Sequence, residues 1–449
     1  MGFGRWYNRN LNRIWSFIED RTSMRRWAVR PQPEFSFKPS YWTGAFVAIA
    51  FLYQAISGAL LLLYYQPSAA TSATYLACGQ PAGTLSPAPA AWCSTYYILH
   101  SVPMGSLLLT THLYGAYAMI FLMLVHFFRG YYLGAYKAPR EFSWMIGALL
   151  LLLTLGMGFT GYLLPYTQLS YYATNVGLQL ALRLPTLGPF LSPFLVGDGT
   201  PQGLLSRMFD AHVILLPLGI AALLYAHIAL FESHGIAPPA TSDPLQRRRF
   251  TDREAKSHVP FMPHILLYMA KWGLLYLGIL FGIAALWPWN LATYYGNLSV
   301  STGVTQPDWY FLWLYKLVDF QGITPGIAVG TATAILLFVL FVPFLDRSKQ
   351  THPRDRPVFV WIGTSLLGFF LVMTVWGGET PGLEIPPVLV AETLGPIFVV
   401  NAIAIALFHR RYARSYRRRL AAKDQASARA QPPVAPRSPS SSNPQGEHP

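Results

Sequence analysis

The sequence predicts an all-α polytopic membrane protein with eight transmembrane helices. Of its 449 residues, 53% are hydrophobic and only 12% are charged, about half the charge of a typical soluble protein. The apolar residues fall into blocks of about 20 residues, the length at which a helix crosses a bilayer. Each block contains Gly or Pro, which helices in lipid tolerate. The predicted spans are residues 42–64, 105–128, 143–165, 210–231, 264–286, 326–345, 358–376 and 389–408.

The net charge of +14 is concentrated on one side of the predicted membrane. With eight spans both termini share a side, and that side collects 29 of the 33 Lys and Arg residues. The opposite loops, which we call outer, carry only Arg183, Arg207 and Lys316. The positive-inside rule therefore predicts that both termini lie in the cytoplasm, and we expect the protein in the plasma membrane. The charge indicates topology and contact with anionic lipids, and argues against nucleic-acid binding.

Composition divides the chain into four predicted segments. An amphipathic stretch from Trp6 to Arg26 is expected to lie along the inner membrane surface. The C-terminal residues are basic and rich in Ala, Pro, Ser and Gln, so we expect a disordered tail there. The segments are an N-terminal cytoplasmic segment (1–40), a first four-helix domain (41–245), a second four-helix domain (246–410) and the tail (411–449).

The outer loops contain further structure and both cysteines. The connections 166–206 and 290–325 are too long for simple turns and are expected to hold short helices. Cys78 and Cys93 share the loop after the first span, on the side where disulfides persist, and we expect them to be bonded. No CxxC or CxxCH sequence occurs, which argues against thiolate zinc and covalent c-type haem.

Four of the 11 histidines lie inside predicted spans. His112 and His126 are 14 residues apart on the second span, and His212 and His227 are 15 apart on the fourth. Steps of 14 or 15 at about 100° each return to within roughly 60° of the starting direction, so each pair faces one way. Both spans run from outside to inside. His112 therefore pairs with His212 near the outer face, and His126 with His227 near the inner face.

Two stacked pairs of imidazoles indicate two metal sites. The alternative is four polar side chains bonded to neighbouring helices, the ordinary explanation for a single intramembrane histidine. Ionisable residues are costly in a membrane, however, and chance seldom gives four at matched spacing. Imidazole binds zinc, copper or iron, and neither cysteine accompanies these histidines. We therefore predict a four-helix di-haem bundle with two non-covalent b-type haems, each iron held by two axial histidines.

Glycines repeat the histidine spacing on the flanking spans. Gly44 and Gly58 are 14 residues apart on the first span, as are Gly147 and Gly161 on the third. Glycines in membrane helices often serve helix packing. A macrocycle between helices also needs the close backbone approach that glycine permits, and the shared spacing favours that role.

The sequence resembles cytochrome b of the cytochrome bc complexes, from about Trp6 to Arg411. Four motifs carry the resemblance. The first runs from His112 through His126-Phe127-Phe128-Arg129-Gly130 to Tyr136 and includes the family's haem-propionate arginine. The second, Gly161-Tyr162-Leu163-Leu164-Pro165-Tyr166-Thr167-Gln168-Leu169-Ser170, is similar to GYxLPWxQxS at the family's outer quinol site. The others are Arg207 followed by His212, and Pro307-Asp308-Trp309-Tyr310-Phe311, which is similar to PEWYF.

The resemblance implies the haem-bearing, quinol-binding subunit of a respiratory quinol:cytochrome c reductase, or of a reductase with an equivalent acceptor. Quinol would be oxidised at the outer face, and electrons would cross through two b haems to an inner quinone site, coupled to proton translocation. The implied partners are a Rieske iron–sulfur protein, cytochrome c or an equivalent acceptor subunit, membrane lipids and a second copy of the chain.

The resemblance assigns Asp308, Tyr310 and Tyr162 to the outer quinol site. A desolvated carboxylate with a raised pKa would accept a quinol proton there. The alternative for Asp308 is a helix N-cap, since an apolar helical run follows it. The tyrosines either bond the quinol head or anchor the membrane interface.

The sequence also departs from the family. Leu109 stands where an arginine near the outer haem is usual, which makes Arg207 the candidate partner for that propionate, as Arg129 is for the inner haem. Glu232 stands where a histidine or arginine is usual at the inner quinone site. His234 either substitutes there or is a solvated interfacial histidine.

Two other classes compete with this interpretation. A di-haem anchor would pass electrons from a dehydrogenase to quinone, but such anchors typically have four or five helices and lack the outer Pro-Asp-Trp-Tyr element. A transporter could relay protons through the four histidines, and would show no haem band in reduced-minus-oxidised spectra.

Overall fold

The computed structural model describes residues 16–17, 20–21, 31–71, 78, 88–184, 187–237, 258–297, 304–348 and 350–430. This part of the chain is helical throughout apart from its loops and two short strands, β1 (Pro31–Pro33) and β2 (His258–Pro260). The α-helices are α1 (Thr43–Leu61), α2 (Ala90–His100), α3 (Gly105–Tyr132), α4 (Glu141–Leu163), α5 (Gln168–Ala181), α6 (Leu187–Leu195), α7 (Pro201–Asp210), α8 (Leu216–His234), α9 (Leu266–Leu286), α10 (Trp309–Val318), α11 (Pro325–Leu345), α12 (Pro357–Glu379) and α13 (Pro387–Ala430).

Eight helical segments in the described chain are long and apolar enough to cross a membrane, which confirms the predicted number. They are α1, α3, α4, the continuous α7–α8 segment Pro201–His234, α9, α11, α12 and α13. The short helices α5, α6 and α7 occupy the first long outer connection and α10 the second, as predicted. Two of them begin at a threonine cap: Thr167 accepts from the Ser170 N–H at the start of α5, and Thr200 accepts from the Gly203 N–H at the start of α7.

The distribution of side chains fits a lipid environment. Leu63, Leu274 and Tyr225 are 72%, 70% and 78% exposed, and in water such a surface would be strongly unfavourable. Polar side chains such as Thr110 and Thr154 are instead buried between helices. Apolar groups face outward and polar groups face inward, so this is a multi-pass membrane protein.

The first four spans form two tight pairs. Helix α1 packs along α3, and α4 packs along α8. Helices α9 and α12 contact α3 from outside the bundle, while α11 contacts α4. In the second half α12 is central, packed between α10 and α13. Space for a site therefore lies between the two tight pairs.

The N-terminal segment and the outer loop are each fastened to later parts of the chain. Strand β1 pairs antiparallel with β2, with Gln32 opposite Val259, so the N-terminal segment lies against the lead into α9. The predicted amphipathic stretch from Trp6 to Arg26 falls mostly outside the described residues. Cys78 and Cys93 form the predicted disulfide.

The prediction that residues 411–449 form a disordered tail is wrong for residues 411–430. Helix α13 continues through the membrane-length segment to Ala430, so residues 411–430 are helical. Beyond the membrane the sequence remains rich in Arg and Ala, with Lys and Gln. These residues favour helix and need no buried partner, so a helix already nucleated in the membrane propagates through them. Residues 431–449 lie outside the described chain.

A buried ionic cluster joins the two halves of the protein at the predicted inner end. The Asp346 cluster consists of Tyr136, Lys137, Asp346 and Arg356. Asp346 pairs with Lys137 at 2.8 Å and Arg356 at 3.1 Å and accepts from the Tyr136 hydroxyl at 2.7 Å. Burial would raise the pKa of Asp346, but these partners outweigh it and hold the pKa below its usual range.

Removing the central carboxylate should loosen the contact between the halves. In Asp346→Ala, Lys137 and Arg356 become buried charges without a counter-ion, which typically costs about 3–5 kcal/mol. The depressed pKa means that the carboxylate's contribution is present at neutral pH and is lost as pH falls through that pKa. Thermal unfolding of the purified protein measures the loss. Glu384→Ala, at an exposed carboxylate, is the control, and equal midpoints in the two variants would contradict the prediction.

Candidate functional site

The outer histidine pair lies between the two tight helix pairs. The ring centroids of His112 on α3 and His212 at the start of the fourth span are 6.4 Å apart, with ring planes inclined by 77°. A metal–imidazole bond is about 2 Å long and the ring centroid lies about 1 Å behind the nitrogen, so imidazoles on opposite sides of one metal have centroids roughly 6 Å apart. The spacing therefore fits two axial ligands of one metal.

A π-helical turn at Ala211–Leu215 lies at His212 and joins α7 to α8. Such a turn holds one residue more than an α-helical turn. It therefore absorbs the extra residue in the 15-residue step from His212 to His227, and the step matches the 14-residue step on α3. Sequence reasoning treated the fourth span as a uniform helix and missed this adjustment.

The outer histidines are oriented by hydrogen bonds to Nδ1. His112 Nδ1 lies 2.8 Å from Ser57 Oγ, whose single hydrogen is directed to the Tyr53 carbonyl. His212 Nδ1 lies 3.0 Å from the Met157 carbonyl, which can only accept. Both Nδ1 atoms therefore donate, and each Nε2 keeps its lone pair for a ligand.

The inner histidines, His126 and His227, also face each other, but only one of them has a hydrogen-bond partner at Nδ1 in the described chain. His126 interacts electrostatically with His227 across the bundle. His126 Nδ1 lies 3.0 Å from Thr43 Oγ1. The backbone of Ser143 lies against His227, whose Nδ1 makes no hydrogen bond of ordinary geometry to the described residues.

Each glycine of the predicted set faces one histidine. Cβ atoms added at the glycines would lie 3.0 Å (Gly44 to His126), 3.2 Å (Gly58 to His112), 3.3 Å (Gly147 to His227) and 2.5 Å (Gly161 to His212) from the imidazole Cε1. The glycines thus let the two helices of each tight pair close around an imidazole edge, a role that the expected clearance for a haem did not include.

Three of these glycines follow a hydroxyl residue directly. The pairs are Thr43-Gly44, Ser57-Gly58 and Thr160-Gly161, and each hydroxyl lies within hydrogen-bond distance of the imidazole that the glycine faces. Ile146 precedes Gly147, at the one histidine whose Nδ1 lacks such a partner. Sequence reasoning missed these residues, although the repeated hydroxyl–glycine pair was a readable signal.

The two predicted propionate arginines differ in their surroundings. Arg129 on α3 is partly buried over the Tyr41 ring, 4.4 Å from its centroid, and its Nε has no hydrogen-bond partner among the described residues. Arg207 Nε instead donates to the Pro193 carbonyl at 3.3 Å, and its guanidinium covers Gly197. The Arg129 side chain interacts with Tyr41 but keeps its Nε for an anion, whereas Arg207 fastens α7 to the end of α6.

These residues fit a b-type haem. Each histidine pair lies between helix pairs held close by glycine, and Nδ1 bonds direct Nε2 of the outer pair inward. The unpaired buried Nε of Arg129 supplies a donor for a propionate at the inner site.

A small cavity lies where α4, α5 and the start of α10 meet. It is lined by Phe159, Tyr162, Ala173, Thr174, Pro307, Asp308, Tyr310, Phe311 and Tyr315. Phe159 and Tyr162 lie on α4, the helix whose Gly161 faces His212. Asp308 is bonded to Tyr117 on α3, the helix that carries His112, so the cavity is built on helices that also hold the outer histidine pair. The predicted outer-site residues Tyr162, Asp308 and Tyr310 are thus brought together.

The Asp308 carboxylate is held by two hydroxyls. Tyr117 donates to Oδ1 at 2.7 Å and Tyr310 donates to Oδ2 at 3.1 Å. Burial raises the pKa of Asp308, and these bonds offset part of the rise. Asp308 occupies the N-cap position of α10, as the alternative expected, but its side chain makes no cap hydrogen bond, so capping does not explain the carboxylate. Sequence reasoning missed Tyr117, to which it assigned no role.

Tyr162 fastens the cavity wall. Its hydroxyl donates to the Gln306 carbonyl at 3.1 Å and so ties α4 to the segment that leads into Asp308. Gly158, one turn earlier on α4, leaves room for the Tyr310 hydroxyl, which a Cβ there would meet at 2.6 Å.

The predicted inner-site residues lie at the end of α8. Glu232 is exposed, and the His234 Nδ1 is buried without a hydrogen-bond partner in the described chain. Arg140, before α4, donates to the carbonyls of His234 and Gly235 at 3.2 and 3.3 Å and caps the helix. These three side chains share one region, and Arg140 was not predicted to belong to it.

Comparison with known proteins matches both halves of the chain. Residues 117–293 match the family described as cytochrome b(N-terminal)/b6/petB, and residues 297–399 match cytochrome b(C-terminal)/b6/petD. The chain is 33% identical over 407 residues to cytochrome b of Sulfolobus acidocaldarius, covering 84% of this chain and 68% of that protein. The chain belongs to the cytochrome b family.

Other relatives specify the kind of cytochrome b. The cytochrome bc complex cytochrome b subunit of Chlorobaculum thiosulfatiphilum is 32% identical over 355 residues, covering 76% of this chain and 74% of that protein. A solved structure titled hyperthermophilic respiratory Complex III superposes with a TM-score of 0.67 at 25% identity, covering 88% of this chain and 96% of the other. The chain is a cytochrome b of a bc-type complex, which implies b-type haem and quinol-linked electron transfer.

In this cytochrome b, a side chain at Gly161 should disturb His212, because this is the closest of the four glycine–histidine contacts. A methyl group in Gly161→Ala would meet His212 Cε1 at 2.5 Å, and overpacking of this kind typically costs about 1–3 kcal/mol. We expect a lower midpoint of thermal unfolding, followed by circular dichroism. Gly282→Ala on α9, where nothing lies within 4 Å of the added carbon, is the matched control and should unfold no earlier than the wild type. Equal midpoints for both variants would refute the contact.

Proposed function

We propose that this cytochrome b oxidises quinol at the outer cavity, within a quinol:cytochrome c reductase or a reductase of an equivalent acceptor. The observation that carries the proposal is the Asp308 carboxylate, which is desolvated, bonded to Tyr310, and bonded to Tyr117 on the helix that carries His112. A base of this kind is what quinol oxidation requires, because the reaction releases protons as well as electrons.

Two b haems complete the proposed pathway. His112 and His212 would hold the outer haem iron, and His126 and His227 the inner one. When bound, these haems would carry electrons one at a time across the membrane. Arg129 would bind an inner propionate, and the partner of the outer propionate is proposed to be Arg207, although Arg207 already bonds the Pro193 carbonyl.

Asp308 is proposed to accept a quinol proton. Its raised pKa makes the carboxylate a stronger base than an exposed aspartate. Tyr162 and Tyr310 line the same cavity and would bond or orient the quinol head. Release of protons at this face, and uptake at the other, would couple turnover to proton translocation.

Quinone reduction is proposed at the inner face, near Glu232 and His234. The partly buried imidazole of His234 lies at the end of α8, where Arg140 fixes the backbone. Protons would be taken up from the cytoplasm, in keeping with a plasma-membrane protein whose two termini are cytoplasmic. The domains would divide as the first four spans (41–245) and the last four (246–410).

The proposed partners follow from the reaction. The first electron from quinol would go to a Rieske iron–sulfur protein and then to cytochrome c or an equivalent acceptor subunit. Membrane lipids would cover the apolar surface, and a second copy of the chain would form a homodimer. A di-haem dehydrogenase anchor is not favoured, because the family match extends through the second half, where Asp308 lies.

The assignment of the histidines to two haems predicts that each haem can be lost without the other. His112→Ala removes one axial ligand at the outer site and leaves the inner pair intact, so it should lose the outer haem alone; His126→Ala should lose the inner haem alone. Haem content and redox titration of the reduced-minus-oxidised spectrum measure both. His100→Ala, on the exposed His100 of α2, should keep two haems. Two haems retained in either of the first variants would overturn the assignment.

The proton role predicts a slow but assembled variant. Asp308→Asn keeps an oxygen for the tyrosines but cannot take a proton, so quinol oxidation should fall by about 100-fold or more, the usual size of a base contribution. Haem content should stay unchanged. Glu379→Gln, at an exposed carboxylate at the end of α12, is the control. A wild-type rate in Asp308→Asn at every pH would remove Asp308 from proton transfer.

A further inference from the structure

Tyr117 is a tyrosine on a membrane-spanning helix, and the sequence analysis assigned it no role. It lies on α3, five residues after His112 and so roughly 7.5 Å deeper along the helix. A hydroxyl at that depth is costly unless it has a partner. Its partner is Asp308, which comes from the second half of the chain. This bond joins the helix that carries two of the histidines to the carboxylate of the outer cavity.

The two oxygens of Asp308 have different neighbours. Oδ2 is bonded to Tyr310, which lines the cavity. Oδ1 is bonded to Tyr117, which is not among the cavity-lining residues and approaches from α3. Tyr117 also contacts the Tyr310 ring, with centroids 6.4 Å apart. The shorter bond, 2.7 Å against 3.1 Å, is therefore made to Oδ1, the oxygen whose partner lies outside the cavity lining.

We propose that Tyr117 is a positioning residue for quinol oxidation, which fixes Oδ1 of Asp308 and leaves Oδ2 to receive the proton. The inference rests on the proposed role of Asp308. In the step, an O–H bond of quinol breaks, its electron pair stays on the quinol oxygen, and the proton bonds to Oδ2. Tyr117 keeps its own proton throughout and donates the same hydrogen bond before and after.

The charged state of Asp308 depends on these hydroxyls. Tyr117 from α3 and Tyr310 from α10 both bond the carboxylate and lower its pKa, against the rise caused by burial. Tyr162 from α4 also interacts with it electrostatically. Among the described residues, no cationic side chain contributes to the pKa of Asp308. The hydroxyls thus favour the ionised carboxylate, which is the form that can accept a proton.

Loss of the Tyr117 hydroxyl should therefore shift the pH dependence of the reaction. Without that bond the pKa of Asp308 rises, so less of the carboxylate is ionised at a given pH. The acidic limb of the rate profile, along which activity grows as Asp308 ionises, should move to higher pH by about one unit, the size expected for a hydrogen bond to a charged group.

The test compares two neighbouring tyrosines in the intact complex. Tyr117→Phe removes the bond to Asp308 and keeps the ring. Tyr114→Phe removes a hydroxyl that donates to the Trp287 carbonyl instead, and is the matched control. Each variant is measured by the pH profile of quinol oxidation and by infrared difference titration of the protonated carboxyl band, assigned by its loss in Asp308→Asn. We expect both readouts to shift in Tyr117→Phe and neither to shift in Tyr114→Phe.

The outcomes separate this inference from the proposed function. If Asp308→Asn is slow but Tyr117→Phe titrates like Tyr114→Phe, the positioning role is refuted and the proton role of Asp308 stands. If Asp308→Asn keeps the wild-type rate, the proposed function fails at its base. Should Tyr117→Phe assemble poorly, Tyr117→Met lacks the same hydroxyl, and the same alkaline shift is expected of it; an unshifted profile there would equally overturn the inference.

Discussion

The cost of placing imidazoles inside a low-dielectric membrane governs the rest of the structure. Each histidine must have its polar nitrogens satisfied, because no water is present to do so. Glycines let a second helix approach each ring, and for three of the four histidines that helix supplies the hydroxyl or carbonyl next to Nδ1. His227 Nδ1 has no such partner among the described residues. The tight pairing of α1 with α3 and of α4 with α8 follows from this need, and the space between the pairs is what remains for a cofactor.

The same requirement explains what the sequence could and could not predict. Apolar blocks and positive loops report directly on the bilayer, so the eight spans were predictable. The spacing of His112 and His126 also survives folding, because a regular helix preserves it. The π-turn at His212 was not predictable, since it depends on how the fourth span fits its neighbours rather than on local composition. The extension of α13 to Ala430 was not predicted, because the composition of its charged C-terminal part is also typical of a disordered tail.

The outer cavity shows the limit of motif reasoning. Pro307, Asp308 and Tyr310 are adjacent in sequence, and their closeness was assured. The contact of Asp308 with Tyr117 spans 191 residues, and no local pattern announces it. Motifs identify groups that act together within one segment, whereas the groups that orient them often come from elsewhere in the fold.

The Asp346 cluster has a thermodynamic consequence for a protein made in one piece. Tyr136 and Lys137 belong to the first half, and Asp346 and Arg356 to the second. Because one chain carries both, their encounter is intramolecular, with an effective concentration that dilution cannot lower. The interaction free energy of the cluster can therefore serve entirely to fix how the two halves are aligned with each other. If the two halves were separate chains, the cluster would also have to offset the translational and rotational entropy lost when they associate.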